Sequence, residues 1–376
     1  MKHELLTITT DFHGERCYVH ARGVLQESGF GLITMQKLEL SGCDVFYGIE
    51  MIKTYDHGKS FTSPTACEGL ARRYSENGES EVICDATPFY HKATGKIILV
   101  GHLANYGANN AQTRTPKRKT TAYAVYDDKC GDFLPYKTVD FPSEITDTYY
   151  TLGSGCSQIY ELDSGELLIP FYFRTLENIQ SGGVPNFCAA VMRCSFDGEC
   201  IKLLEIGNTL KVSTPRGVCE PSVIKHGEEF FLALRNDKTG YISKSADGLH
   251  FDEPKELCFD DGENAGNYNT QQHLLVGGGR LWMVYTRRAE NNSHVFRHRA
   301  PLFIAEIDKD TLTLKRETEY IVVPERGARL GNFGVQSYSI DTGYVFASEW
   351  MQGDNGLEGC MKYGSDNSIF VSKITY

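Results

Sequence analysis

Two carboxylates and two histidines stand where protons could be moved. Asp85 follows the apolar run Val82-Ile83-Cys84 and precedes Ala-Thr-Pro, at a strand start where desolvation would raise its pKa toward that of a working acid. Glu220, between Cys219 and Pro221 and four residues after Arg216, would serve as a base or as the orienting partner of an arginine. His102 and His273 titrate near neutrality in ordinary surroundings and suit proton abstraction beside a carboxylate-bearing carbon. Arg22, Arg174, Arg235, Arg287 and Arg299 recur at strand ends, with Gln272 and Tyr285 at similar places, and a planar guanidinium binds a carboxylate in a way lysine cannot reproduce.

Such residues must be gathered by the fold, and the chain repeats itself in a way that would do so. Six stretches, 19–39, 82–102, 153–175, 217–237, 267–288 and 331–350, each run from a hydrophobic alternation through a tight turn into a second strand ending on a polar residue. Their spacing of about 45 to 70 residues is too long for a helical solenoid unit and suits a four-stranded blade. The expected fold is all-β, a six-bladed β-propeller of antiparallel four-stranded blades, forming one domain over 1–376. The N- and C-terminal segments can share a blade: the C-terminal stretch NSIFVSKITY (367–376) is a strand with no partner after it, and pairing it with the N-terminal blade would close the ring. The candidate helices 70–78 and 307–319 read better as a loop and a hairpin. Aligned, the copies put Gln36, His102, Arg174, Arg235, Arg287 or Arg288, and Glu349 at the inner ends of second strands. Arg22, Asp85, Gln158, Glu220, Gln272 or His273, and Gln336 open the first strands, and such a set should line a solvated pocket or form ion pairs.

A formal net charge of −11 argues against a nucleic-acid groove, and the one basic run, 113–123, reads as a solvated turn. The segment 285–301 carries four Arg and two His, and with Arg326 and Arg329 it makes the most anion-seeking surface of the chain. It is expected to form one wall of the funnel, with Glu290, Glu325 or Glu349 as local partners. No apolar stretch of membrane-spanning length occurs and the N-terminus has no signal-like core, so the expectation is a cytoplasmic chain without membrane partners. Twelve Cys with no CxxC pair read as reduced thiols, Cys194 and Cys200 being the pair that could face each other across a turn. No metal or other cofactor is implied: the histidines lack zinc spacing, and 259–269 is the sole acidic loop that could suit calcium.

The turns carry a further signal. In TYDHGKSF (54–61) Asp56 can accept backbone N–H bonds across a turn that Gly58 permits, with Phe61 as anchor; SADGLHF (245–251) is a shorter version and SFDGE (195–199) a fragment. These turns resemble the Asp-box of sialidases and related propellers. The chain also resembles sialidases in the order of Arg22, the first such turn, Glu220 with Arg235, and Arg299 before another strand. The resemblance implies a glycoside hydrolase acting on a terminal acidic sugar of a glycan, its carboxylate bound by Arg22, Arg235 and Arg299, with Asp85 as acid and Glu220 as base or orienter. Sialidases open their last blade with a tyrosine nucleophile, whereas here Phe333 or Gly334 takes that register and Tyr338 lies deeper. That departure leaves two alternatives: a polysaccharide lyase on a uronic-acid glycan, using His102 or His273 with Tyr285 or Tyr106, and a non-catalytic glycan-binding propeller.

Overall fold

A computed structural model of the chain describes residues 1–41, 44–113, 120–181 and 185–376, so most of the basic run lies outside the described residues. Six antiparallel sheets follow one another along the chain as the blades of a propeller. Blade I begins with Arg16–Leu25 and Gly31–Glu39, blade II with Ser80–His91 and Lys96–Tyr106, and blade III with Tyr149–Gly153 and Leu167–Thr175. Blade IV begins with Cys219–His226 and Glu229–Arg235, blade V with His273–Gly277 and Arg280–Tyr285, and blade VI with Gly334–Ser339 and Thr342–Ser348. These are the six repeated stretches. The 307–319 segment is a hairpin in part, pairing Ile307 with Leu314 and Asp308 with Thr313.

The ring closes through both termini, whose segments share one blade as expected, that blade being the last rather than the first. Ile369–Thr375 is the third strand of blade VI, and Lys2–Ile8 adds to its far side as the outermost strand, rather than the C-terminal strand joining blade I. No helix of the described residues is long and apolar enough to cross a membrane.

Each pair of adjacent blades shares its own core, so middle strands bury both faces and read as unbroken apolar runs. In Leu167–Thr175 the odd residues Leu167, Ile169, Phe171 and Phe173 pack toward blade II, while Leu168 packs toward blade IV. In blade V, Leu281, Met283 and Tyr285 face blade IV, and Trp282 and Val284 face blade VI. The two-residue period therefore assigns each side chain to one of two neighbours.

The innermost strands break that period where they reach the funnel. The register slips between Val19 and Arg22, Cys84 and Thr87, Tyr150 and Gly153, and Cys219 and Ser222. At these bulges His20, Asp85, Thr151 and Glu220 hold positive φ, as do Asn269 and Asn332 just ahead of the inner strands of blades V and VI. A non-glycine residue in this region costs on the order of 1–3 kcal/mol, and bulges of this kind re-aim side chains beside functional sites.

The turns behave as their spacing predicts. The Asp56 carboxylate accepts from the backbone N–H groups of Lys59 and Ser60 at 3.0 Å, and Asp247 accepts from Leu249 and His250 at 2.8 and 2.7 Å. They sit on the outer side of blades I and IV, between third and fourth strands, and serve the hairpins rather than the funnel. All cysteines among the described residues are free thiols, Cys194 and Cys200 included. In 259–269 the acidic groups are answered by Arg316, which donates to Asp261 and to Glu263, the latter at 2.8 Å.

Candidate functional site

A cavity of about 590 Å³ opens where the six inner strands meet. Arg174, Arg216, Arg235, Arg297, Arg299 and Arg329 line it against three lining carboxylates, Asp44, Asp85 and Glu220. In a chain of net charge −11 this funnel is a local positive well. Phe46, Phe187, Phe296 and Trp350 supply its apolar wall.

The carboxylates at the bulges are already engaged. Glu220 forms an ion pair with the Arg235 guanidinium, whose other nitrogen donates to Asn269 Oδ1 at 2.9 Å and meets Asp237 at 3.4 Å. Burial pulls the Arg235 pKa down, but Glu220, Cys219 and Asp237 outweigh it and leave it raised. Asp85 sits between two imidazoles, with Oδ1 3.2 Å from His20 Nδ1 and Oδ2 3.5 Å from His102 Nε2. The Cys156 thiol, which burial and Asp85 keep protonated, donates to Asp85 Oδ1 at 3.2 Å and accepts from Arg22 Nη2 at 3.0 Å. Burial alone would raise Asp85, but the imidazoles, Arg22 and the Cys156 thiol hold it below the usual carboxylate range. The sequence-based expectation of a raised, acid-like Asp85 is thereby reversed.

The arginines of blades V and VI are different. Arg299 is 4% exposed and Arg329 7% exposed, yet no carboxylate among the described residues forms an ion pair with either. Arg299 donates to the backbone oxygen of Asn269, while Arg329 donates to Gln352 Oε1 at 3.0 Å and lies 3.7 Å over the Trp350 ring. Both leave a buried Nε without a partner. Burial first, then the neighbouring guanidiniums of Arg235, Arg329 and Arg297, pushes Arg299 far down; Arg329 is pushed down to about 10, mainly by burial.

Several residues expected in the site lie elsewhere, each for a local reason. Arg22, two residues past the blade I bulge, points below the cavity and is fully buried, donating to Phe333 O and Ala86 O at 3.2 Å each. It knits blades I, II, III and VI beneath the funnel and does not line the cavity. His273 bridges Ser222 Oγ (2.7 Å) and Phe333 O (3.1 Å) in the same floor, and Gln272 is buried beside Gly240. Tyr285 and Arg287 continue the odd-numbered face of their strand toward blade IV, where both bind Glu319, Arg287 at 2.7 Å through two nitrogens. Tyr106 bonds to the backbone of Asp44 and Phe46 outside the cavity. Glu349 binds Arg326, and Gln158 and Gln336 clasp the backbone of Leu274 and Leu25 on other blades. Of the arginine-rich segment, Arg297 and Arg299 reach the funnel.

Asp85, His102, Glu220, Arg174, Arg235 and Arg299 do line the cavity. Arg329 was visible in sequence only as part of a basic surface, and Tyr172, Trp350 and Asn332 carried no signal there. In the last blade, Phe333 is buried against the His273 ring and Tyr338 donates to Gln26 O, so of this stretch Asn332, just before Phe333, faces the funnel. Cys84, Asp85 and His102 place one ligand atom each within 4.8 Å of one another, an arrangement able to hold a metal ion; the Arg22 charge beside Cys156 works against a cation there.

Two buried rings give the fold a pH dependence. His20 and His273 are each pushed down to about 3, chiefly by burial, and are neutral in the native state. Unfolded, each would take up a proton below about pH 6.5. Their stabilisation is present in full above that pH and is lost as pH falls toward 3, by up to about 1.4 kcal/mol per pH unit per ring. Urea midpoints measured at pH 7.5, 6 and 5 should fall steadily, and His273→Asn should flatten the slope; a parallel pH profile in that variant contradicts the assignment.

No family model matches the chain, and no curated protein matches it. Solved structures do. A crystal structure of a protein of unknown function from Dyadobacter fermentans DSM 18053 superposes with a TM-score of 0.68 at 12% identity, covering 98% of each chain. A mutant of Trypanosoma rangeli sialidase displaying trans-sialidase activity gives 0.63 at 12% identity, covering 99% of this chain and 58% of that one. The phage phi92 endosialidase gives 0.58 at 10% identity, covering 99% and 69%. The fold is thus a sialidase-like six-bladed propeller, and this chain spans little more than half the length of the trypanosomal enzyme.

Proposed function

We propose that the funnel binds a terminal acidic sugar of a glycan and hydrolyses its glycosidic bond. The observation that carries this reading is the Arg299–Arg329 pair, two buried guanidiniums with which no carboxylate among the described residues forms an ion pair. A buried, unpaired charge is costly, and a ligand carboxylate between them would remove that cost through charge-assisted, bidentate bonds. Arg235 stands beside Arg299 and is oriented by Glu220, so it adds a third donor on the same side. The aromatic wall, with Trp350 and Phe296 around Arg329, suits the apolar face of a sugar ring. Trypanosoma rangeli sialidase, similar in fold, has been solved in complex with sialic acid.

Titration calorimetry with N-acetylneuraminate, glucuronate and galactose tests the reading. One of the two acids should bind at least about tenfold more tightly than the neutral sugar, with affinity falling as salt rises. Equal binding of galactose would remove the anion from the argument.

A further inference from the structure

We propose that Tyr172, from the second strand of blade III, is the nucleophile of this funnel, activated by His102 and, through it, by Asp85. The inference rests on the hydrolase reading above and supplies the reacting residue that the last blade lacks. Tyr172 is the one tyrosine among the described cavity-lining residues. Its hydroxyl lies 3.4 Å from His102 Nδ1, and His102 Nε2 lies 3.5 Å from Asp85 Oδ2. A nucleophile facing a base that is in turn held by a carboxylate is the arrangement that makes a weak hydroxyl reactive, and such contacts are commonly loose before substrate binds.

The imidazole is held by shape as well as by charge. A Cβ on Gly155 would fall 2.1 Å from His102 Nδ1, and one on Gly153 would fall 3.3 Å from His102 Cβ. The glycines of the Gly153-Ser154-Gly155 run thus give His102 its place. Asp85 is fixed independently, by the Cys156 thiol and by Asn332, whose amide nitrogen reaches His20 Nε2 at 2.8 Å and Asp85 Oδ1 at 3.5 Å. Burial and the nearby Glu220 and Asp85 carboxylates keep the Tyr172 phenol protonated at rest, so its proton must go to a base as the bond forms.

In the first step the Tyr172 oxygen attacks the anomeric carbon as the glycosidic C–O bond breaks. The phenolic proton passes to His102 Nδ1, the imidazolium faces the Asp85 carboxylate, and the departing oxygen takes a proton from a water molecule, leaving hydroxide. In the second step that hydroxide attacks the same carbon, and His102 gives its proton back to the tyrosine oxygen as it leaves. The sum is glycoside plus water giving free sugar plus alcohol, with overall retention at the anomeric carbon.

The test uses the 4-methylumbelliferyl glycosides of N-acetylneuraminic acid and glucuronic acid as probes, with 2,3-difluoro-N-acetylneuraminic acid and 2-deoxy-2-fluoroglucuronyl fluoride as traps. Expected are a covalent mass increase on the peptide holding Tyr172 and a loss of about 10³-fold or more in kcat for Tyr172→Phe, with probe affinity changed by less than about threefold. Gly155→Ala, which displaces His102, should lower kcat by about ten- to a hundredfold, leave KM nearly unchanged and shift the pH–rate profile. An adduct on another residue, an inverted product, or a folded Tyr172→Phe within about tenfold of wild type would overturn the nucleophile while leaving hydrolysis standing. An unsaturated product absorbing in the ultraviolet, or no release from either glycoside by the wild-type protein, overturns the hydrolase reading and the nucleophile with it.

Discussion

The Arg299→Leu, Arg329→Leu double variant should melt at or above the temperature of the wild-type protein and lose its affinity for acidic sugars by at least about a hundredfold. Each charge-assisted contact to a ligand carboxylate is worth about 1.5–3 kcal/mol, and about 1.4 kcal/mol is a factor of ten. The stability half of the result follows from the same buried groups. In the free protein these guanidiniums meet neutral acceptors and each other, and replacing buried charge by apolar volume is often neutral or stabilising. Paired thermal melts and calorimetry decide the matter. A variant that melts several degrees lower while still binding the acid would make the arginines structural and remove them from the site.

Arg22→Met should do the reverse, costing about 3–5 kcal/mol of stability with little change in the charge that meets a ligand. The side chain is fully buried and its three nitrogens each donate once, to Phe333 O, Ala86 O and the Cys156 thiol. Methionine fills much of the volume and donates nothing, so two backbone carbonyls of different blades lose their shared partner and Asp85 loses a nearby positive charge. Denaturant unfolding measures the loss. Acid-sugar affinity per folded molecule should stay within about threefold of wild type, since ligand binding is carried by other guanidiniums. An intact melting point with abolished binding would return Arg22 to the carboxylate-binding set.

The contrast between these arginines shows how far the sequence reaches. Hydrophobic alternation, turn chemistry and repeat length determine the six hairpins, and the Asp56 and Asp247 turns follow from local spacing, because hydrogen bonds a few residues apart need nothing distant. The ends of second strands also determine which end of each blade is polar, which is why Arg174, Arg235 and His102 reach the cavity. What the two-residue period cannot say is which neighbour a face meets or how deep along the axis it lies. Tyr285 and Arg287 share parity with Leu281 and Met283 and so face blade IV rather than the funnel. Bulges reset the parity at His20, Asp85 and Glu220, lifting the last two into the cavity while Arg22, two residues past its bulge, drops beneath it. Arg329, Asn332 and Tyr172 come from blades III and VI and take their surroundings from what stands opposite them: Arg329 lies over the Trp350 ring, and Tyr172 faces an imidazole held against two glycines of its own blade. The closing strand Lys2–Ile8 is decided in the same way, since the edge it covers exists only once residues more than three hundred positions away have formed the last blade.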